Sequence, residues 1–261
     1  MDAAWVALVG LVIATCRPTG PDGIAEARAD EPAGGGTSSG EAVVELFTSE
    51  GCSSCPPADA LLADLANTKR PVFALAFHVD YWDDLGWVDR FASPENTDRQ
   101  RTYARSFGAR GLYTPQMIVN GTESFTGSDR SRAQQSVAQA LARPASVPLS
   151  IGVRATTSDS VAVDWNAPGA PAGAVIDVAI VERSTSTDVR AGENAGRVLR
   201  HANVVRAFVV APIAARPASL VVRVPAAMRR DGGEVIAYVQ GPATPPGGMP
   251  VLGSARAALP R

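Results

Sequence analysis

The stretch that most constrains this chain is Gly51-Cys52-Ser53-Ser54-Cys55-Pro56-Pro57. Before it, residues 42–48 hold Val43, Val44, Leu46 and Phe47 between Gly40 and Ser49-Glu50-Gly51, the pattern of a short buried strand. After it, Ala60, Leu61, Leu62, Leu65 and Ala66 recur at helical spacing, and Asn67 is a stop signal. The Cys-x-x-Cys pair therefore sits on a strand-to-helix turn. A helix start presents unpaired N–H groups and a partial positive charge, which favour thiolate. Cys52 is expected to be the more acidic and more exposed sulfur, and Cys55 the resolving thiol one turn into the helix. Pro56 and Pro57 are tolerated because first-turn residues have no intrahelical N–H partner to lose. From spacing alone, three readings stay open: a redox pair, part of a metal site, or inert structural cysteines.

Composition narrows these choices. The chain has 261 residues, 46% hydrophobic and 19% charged, enough for a sizeable core and too long for a typical single domain. Its 24 basic and 26 acidic side chains leave a formal charge of -2, which gives no electrostatic footprint for nucleic acid. Three cysteines are too few for a disulfide-stapled scaffold or a four-thiolate zinc site, and His78 and His201 are the only imidazoles. No metal site and no separate cofactor are expected.

The next strand spans residues 71–80 and is apolar on both faces, so strand, helix and strand make a right-handed parallel unit. In such a unit both strand ends open on one sheet edge, where ligands bind. His78, Asp80, Tyr81 and Trp82 are thus placed beside the cysteines, although His78 also reads as a core histidine and Asp80 as a turn former. Trp82, Trp87 and Phe91 form either a substrate rim or simple packing. A helix follows, with Ser93 as N-cap, Pro94 in its first turn and Gly108 as stop. Thr114-Pro115 then opens a strand, and Asn120-Gly121 signals a hairpin before a helix capped by Ser128.

The N-terminal run from Trp5 to Ala14 is too short to span a bilayer and suits a signal-peptide core; Cys16 directly after it is a candidate lipid-anchor site. Residues up to 40 are rich in Pro, Gly, Ala and Ser, a flexible tether. The chain is accordingly divided into a leader and linker over 1–40, a first domain over 41–145, and a β-rich domain over 146–261. In the last, short runs at 149–153, 160–165, 174–181, 204–210, 220–224 and 234–239 alternate with turn residues, the pattern of an antiparallel sandwich. Between two of them lies a long polar stretch, residues 192–203, read either as a solvated loop or as a flap over the cysteines in which His201 or Arg200 tunes the pair.

Assembled, residues 42–143 resemble the thioredoxin superfamily: strand, Cys-x-x-Cys at a helix start, strand, helix, a Thr-Pro opening a hairpin, and a last helix. The segments from Phe47 to Pro57 and from His78 to Asp83 are more closely similar to an uncharacterised bacterial family of secreted thioredoxin-like proteins of unknown function. The resemblance implies an α/β fold, a thioredoxin-like domain followed by a smaller antiparallel β-sandwich-like domain. It also implies that Pro115 is a cis-proline, with Thr114 facing the cysteines and offering backbone hydrogen bonds to a bound peptide. Thioredoxins carry a buried acid in the first strand; Glu45 is the nearest candidate here, one residue out of register with that spacing. Ser53-Ser54 matches neither reducing thioredoxins nor strong periplasmic oxidants.

The expected function is an exported thiol–disulfide oxidoreductase, periplasmic or anchored facing that compartment, with cysteine-containing proteins as substrates and a membrane redox partner where it acts as reductant. The rival expectations are a periplasmic Cu(I) carrier, since thiolates suit that ion, and a non-catalytic adaptor on the same scaffold.

Overall fold

The computed structural model describes residues 40–213 and 218–260. The expected leader, linker and Cys16 lie within residues 1–39, outside the described residues. The first elements follow the sequence pattern closely: β1 (Ala42–Thr48), α1 (Pro56–Ala66) and β2 (Val72–His78) form a parallel strand–helix–strand unit with Ala42 opposite Val72 and Thr48 opposite His78. A short 3-10 turn at Asp83–Leu85 leads to α2 (Pro94–Phe107), whose Ser93 N-cap accepts from the Asn96 N–H and whose end is closed by left-handed Gly108. The strands β3 (Gln116–Val119) and β4 (Glu123–Thr126) form the expected hairpin, turning through Asn120 at φ 46° and Gly121 at φ 70°. Helix α3 (Arg130–Leu141) is capped by Asp129, one residue later than expected, because its carboxylate takes the Arg132 N–H.

The remaining strands are β5 (Ser150–Thr157), β6 (Ser160–Asn166), β7 (Val175–Asp188), β8 (Val198–Pro212), β9 (Ala218–Arg223), β10 (Glu234–Gln240) and β11 (Val251–Ala258). Here the two-domain expectation is corrected. The described residues fall in one compact unit, with an eight-stranded sheet in the order β11-β10-β7-β8-β2-β1-β3-β4 and a three-stranded sheet β5-β6-β9. The join is between β2 and β8, parallel at Ala76 and Val204, with the Asn203 side-chain amide donating to the Ala74 carbonyl at 2.9 Å. An unpartnered β2 edge would leave a row of backbone groups open, and the later strands take up that edge. The sandwich-like part survives as the small sheet stacked on the large one.

Period-two burial builds the layers. From β1 and β2, Val44, Leu46, Ala74 and Ala76 face Leu61, Leu62 and Leu65 of α1 and Val137 of α3. The alternate residues Val43, Phe47, Leu75 and Phe77 meet Tyr103 of α2, and this second core runs on to Ala179, Ile236 and Tyr238. Over β7 and β10, Ile176, Val178, Ile180 and Val235 are covered by Val161, Val163, Trp165 and Val222 of the small sheet. No helix among the described residues is long and apolar enough to cross a membrane.

Candidate functional site

The turn after β1 carries the cysteines. The Cys52 N–H donates to the Ser49 carbonyl and the Cys55 N–H to the Cys52 carbonyl, each at 3.2 Å, and Cys55 is the N-cap residue of α1. Cys55 thus stands at the helix start and not one turn inside it, and Cys52 precedes the helix. Both are thiols, and both are wholly buried, while Ser53 and Ser54 are exposed. The expected exposure of Cys52 is therefore corrected: Trp82 packs so closely on the turn that a Cβ on Gly51 would lie 3.2 Å from the Trp82 Cβ.

The two sulfurs are hydrogen-bonded to each other, and this contact is the largest influence on Cys52 and the second largest, after burial, on Cys55. The Cys55 thiol, against the opposing effect of burial and with help from Ser54 and Thr114, brings Cys52 down to about 6. A backbone hydrogen bond from Ser54 is the smallest contribution, and the side chains supply most of the shift. Burial first, then the hydrogen bond to and charge of Cys52, push Cys55 far up.

Asp59, one turn into α1 and buried, is the acid that sequence reasoning missed. Burial pushes its carboxyl up; its charge bears on Cys55; and its Oδ1 accepts from the Thr48 hydroxyl at 2.8 Å. Thr48 also hydrogen-bonds Cys55. One hydroxyl proton cannot serve both acceptors at once, so Thr48 links the charge state of Asp59 to that of the Cys55 thiol. The signal was available: an acid four residues after Cys55 lies on the buried face with Leu62. Glu45, the candidate chosen from the sequence, points to the opposite face. It is held by Arg99 at 2.5 and 2.9 Å and by the Tyr103 hydroxyl at 2.5 Å, away from the cysteines.

Thr114-Pro115 is a cis peptide, and the Trp82 indole N–H donates to Thr114 Oγ1 at 2.8 Å. Trp82, Thr114 and Pro115 thus share the cysteine edge as expected. Asp80 does not act there: its Oδ1 accepts from Thr97 Oγ1 at 2.5 Å, tying the end of β2 to α2. His78 and His201 lie in a buried ionic layer beneath the turn. His78 Nδ1 is 2.6 Å from Asp89 Oδ2, His201 Nε2 is 3.1 Å from Glu50 Oε1, and the two rings meet edge to face at 4.8 Å. Against the cost of burial, His78 and the Glu50 and Phe91 N–H groups hold Asp89 down to about 2; burial opposes the shift of His78 too, but Asp89 raises it.

The polar stretch expected as one long loop divides in two. Residues 198–203 belong to β8, with His201 opposite Thr185 of β7, and residues 189–197 form the turn. That turn docks on the cysteine segment: the Asn194 amide donates to the carbonyls of Glu50 and Cys52, each at 2.9 Å, and the Ser53 N–H donates to the Glu193 carboxylate at 2.9 Å. Glu193 and Asn194 were not singled out from the sequence, since a Gly-Glu-Asn-Ala-Gly turn carries no mark of its destination. Arg200 is exposed, away from these contacts. Among the described residues, no group of three or more His, Cys, Asp or Glu side chains could hold a metal ion.

Fold and site together define a mixed α/β protein with a buried vicinal thiol pair at a strand-to-helix turn. Residues 43–240 match the family described as Protein of unknown function (DUF1223), and the chain belongs to that family. A crystal structure of an Agrobacterium tumefaciens protein is similar over 85% of this chain and 95% of that one, with 31% identity and a TM-score of 0.64. HBP35 of Porphyromonas gingivalis is similar over 86% of this chain and 77% of that one, with a TM-score of 0.58; at 13% identity the likeness is one of fold. No curated protein matches.

Proposed function

We propose that this protein is an exported thiol–disulfide oxidoreductase acting on cysteine-containing proteins through Cys52 and Cys55. The observation that carries the reading is the sulfur pair itself: Cys52 is hydrogen-bonded by the Cys55 thiol and ionises near 6, while its partner stays protonated. That asymmetry gives a nucleophile and a held proton in one turn. The order β2-β1-β3-β4, with α1 and α3 on one face and α2 on the other, and the cis Thr114-Pro115 support the thioredoxin-like resemblance.

In the reducing direction, the Cys52 thiolate attacks one sulfur of a substrate disulfide. The substrate S–S bond breaks, a mixed disulfide forms, and the departing thiolate takes a proton from water. Cys55 then gives up its proton toward Thr48 and Asp59 and attacks Cys52 Sγ. The second substrate thiol leaves, and two electrons have passed from the cysteine pair to the substrate. In the oxidising direction each step runs backwards.

Because Cys52 is wholly buried, exchange requires the wall of Trp82 and Thr114 or the 189–197 turn to shift. The same burial favours a second reading, a non-catalytic adaptor in which the pair is structural. Alkylation of Cys52 by iodoacetamide against pH, with exchange against glutathione disulfide, decides between them. The enzyme reading expects alkylation with a midpoint near 6 and a Cys52–Cys55 disulfide after exchange; sulfurs inert to both reagents in the folded protein establish the adaptor.

A further inference from the structure

The wall over the cysteine turn does more than cover it. Trp82 follows β2 and closes on Gly51, and its indole N–H donates to Thr114 Oγ1 at 2.8 Å. An indole N–H can only donate, so the Thr114 oxygen is the acceptor here and the hydroxyl proton is left to be given elsewhere. Two acceptors lie around it, the Cys52 sulfur and the Tyr81 oxygen, each hydrogen-bonded to the Thr114 side chain. Tyr81 gives its own proton to Gln100 Oε1 at 3.2 Å, and Gln100 Nε2 donates to the Tyr113 carbonyl at 2.8 Å, so the residues before Pro115 are fixed from α2 as well. Burial pushes the Tyr81 phenol up to about 12, which keeps it neutral. A charged acceptor makes the stronger hydrogen bond. Once Cys52 ionises, the Thr114 proton therefore goes to the sulfur.

We propose that Trp82 is a positioning residue of the exchange reaction, which fixes Thr114 Oγ1 as an acceptor and so directs the Thr114 hydroxyl proton to the Cys52 sulfur. The catalytic purpose of this bond rests on the oxidoreductase reading, whereas the bond itself acts whether or not a disulfide is exchanged. Donation into Oγ1 also polarises the hydroxyl, since successive hydrogen bonds reinforce one another. Trp82 thereby shuts water away from the sulfur and replaces part of the hydrogen bonding that water would supply. The other titratable groups about Cys52 are the Cys55 thiol of α1 and, from the 189–197 turn, the Glu193 carboxylate on the Ser53 N–H at 2.9 Å. Both remain in every variant that tests the role of Trp82.

The test is pH titration of the ultraviolet thiolate absorbance of the reduced full chain, which needs no reagent to reach the sulfur, with Cys52→Ser identifying the Cys52 transition. In the parent protein the midpoint is expected near 6. Thr114→Val, similar in shape, is expected to raise it by about one pH unit, a roughly tenfold smaller thiolate fraction on the acid side. Trp82→Phe keeps an aromatic cover, removes the N–H and is expected to raise it by about half a pH unit. The double variant is expected to go no further than Thr114→Val alone, because the indole acts only through the hydroxyl. Thr114→Ser, which keeps the hydroxyl, is expected to hold the parent midpoint. An unmoved midpoint in Trp82→Phe would make the indole a cover and nothing more. Additive shifts in the double variant, a Thr114→Ser midpoint as high as that of Thr114→Val, or a parent Cys52 that ionises only in the ordinary thiol range also overturn the inference. Should the expected shifts appear in a protein that exchanges no disulfide with glutathione, the oxidoreductase reading falls and the control of Cys52 by Trp82 stands.

Discussion

Asp59 and Glu45 are two buried acids with opposite consequences. Asp59 reaches Cys55 through Thr48, so Asp59→Asn is expected to leave the alkylation midpoint of Cys52 nearly unchanged while slowing resolution of a mixed disulfide by about tenfold or more. Quenched-flow trapping of that intermediate checks this; unchanged resolution would remove Asp59 from the proton path. Glu45 instead anchors Arg99, whose guanidinium also reaches the Tyr238 hydroxyl at 2.7 Å and lies over the Phe208 ring at 4.4 Å. Arg99→Met strands Glu45 without its cation and is expected to cost about 3–5 kcal/mol in urea unfolding, with the Cys52 midpoint retained. The sequence marked Cys52, Cys55, Trp82, Thr114 and Pro115 because their chemistry is local to a turn and a strand start. It did not separate Asp59 from Glu45, because which face an acid meets is decided by packing of distant elements.

At the scale of elements, the turn between β7 and β8 is the most informative. Its Asn194 amide satisfies two carbonyls of the cysteine segment, and Arg197 in turn donates to Asn194 Oδ1 at 3.0 Å. Asn194→Ala is expected to speed Cys52 alkylation and to lower stability by roughly 1–3 kcal/mol, the cost of leaving buried acceptors unmade. Alkylation no faster than in the parent protein would mean that the turn is not what restrains the sulfur. The helices α1 and α2 and the β3–β4 hairpin were legible from caps, periodicity and Asn120-Gly121, all short-range signals. The lengths of β7 and β8 were not, because their outer halves are polar and become strands only by pairing with each other. β11 was missed for the same reason: Gly253, Ser254 and Arg256 give its sequence no apolar alternation.

For the whole molecule, the buried ionic layer contributes to how stability varies with pH. Asp89 ionises at about 2 in the folded protein and near 3.9 unfolded. Its contribution, on the order of 2 kcal/mol, is complete above the unfolded value and is lost as pH falls from about 4 toward 2. His78 has the opposite sign: its raised folded value gives stability that is full below the unfolded histidine value and disappears as pH rises through the folded one. Thermal unfolding across pH is therefore expected to show an acid limb below about pH 4 that flattens in Asp89→Asn. A limb of unchanged steepness would place the acid sensitivity elsewhere.

The shared edge between β2 and β8 also bears on how such a chain becomes competent during synthesis. The first strands and helices can associate as soon as they emerge, but the carbonyls of Glu50 and Cys52 wait for an amide more than 140 positions downstream in the chain. Until that late segment arrives, the thiols stand in an unfinished pocket, more open to oxidants and stray partners than they will ever be again. Closure of the thiol turn therefore waits on Asn194, and the accessibility of Cys52 and Cys55 in the nascent chain differs from that in the finished protein.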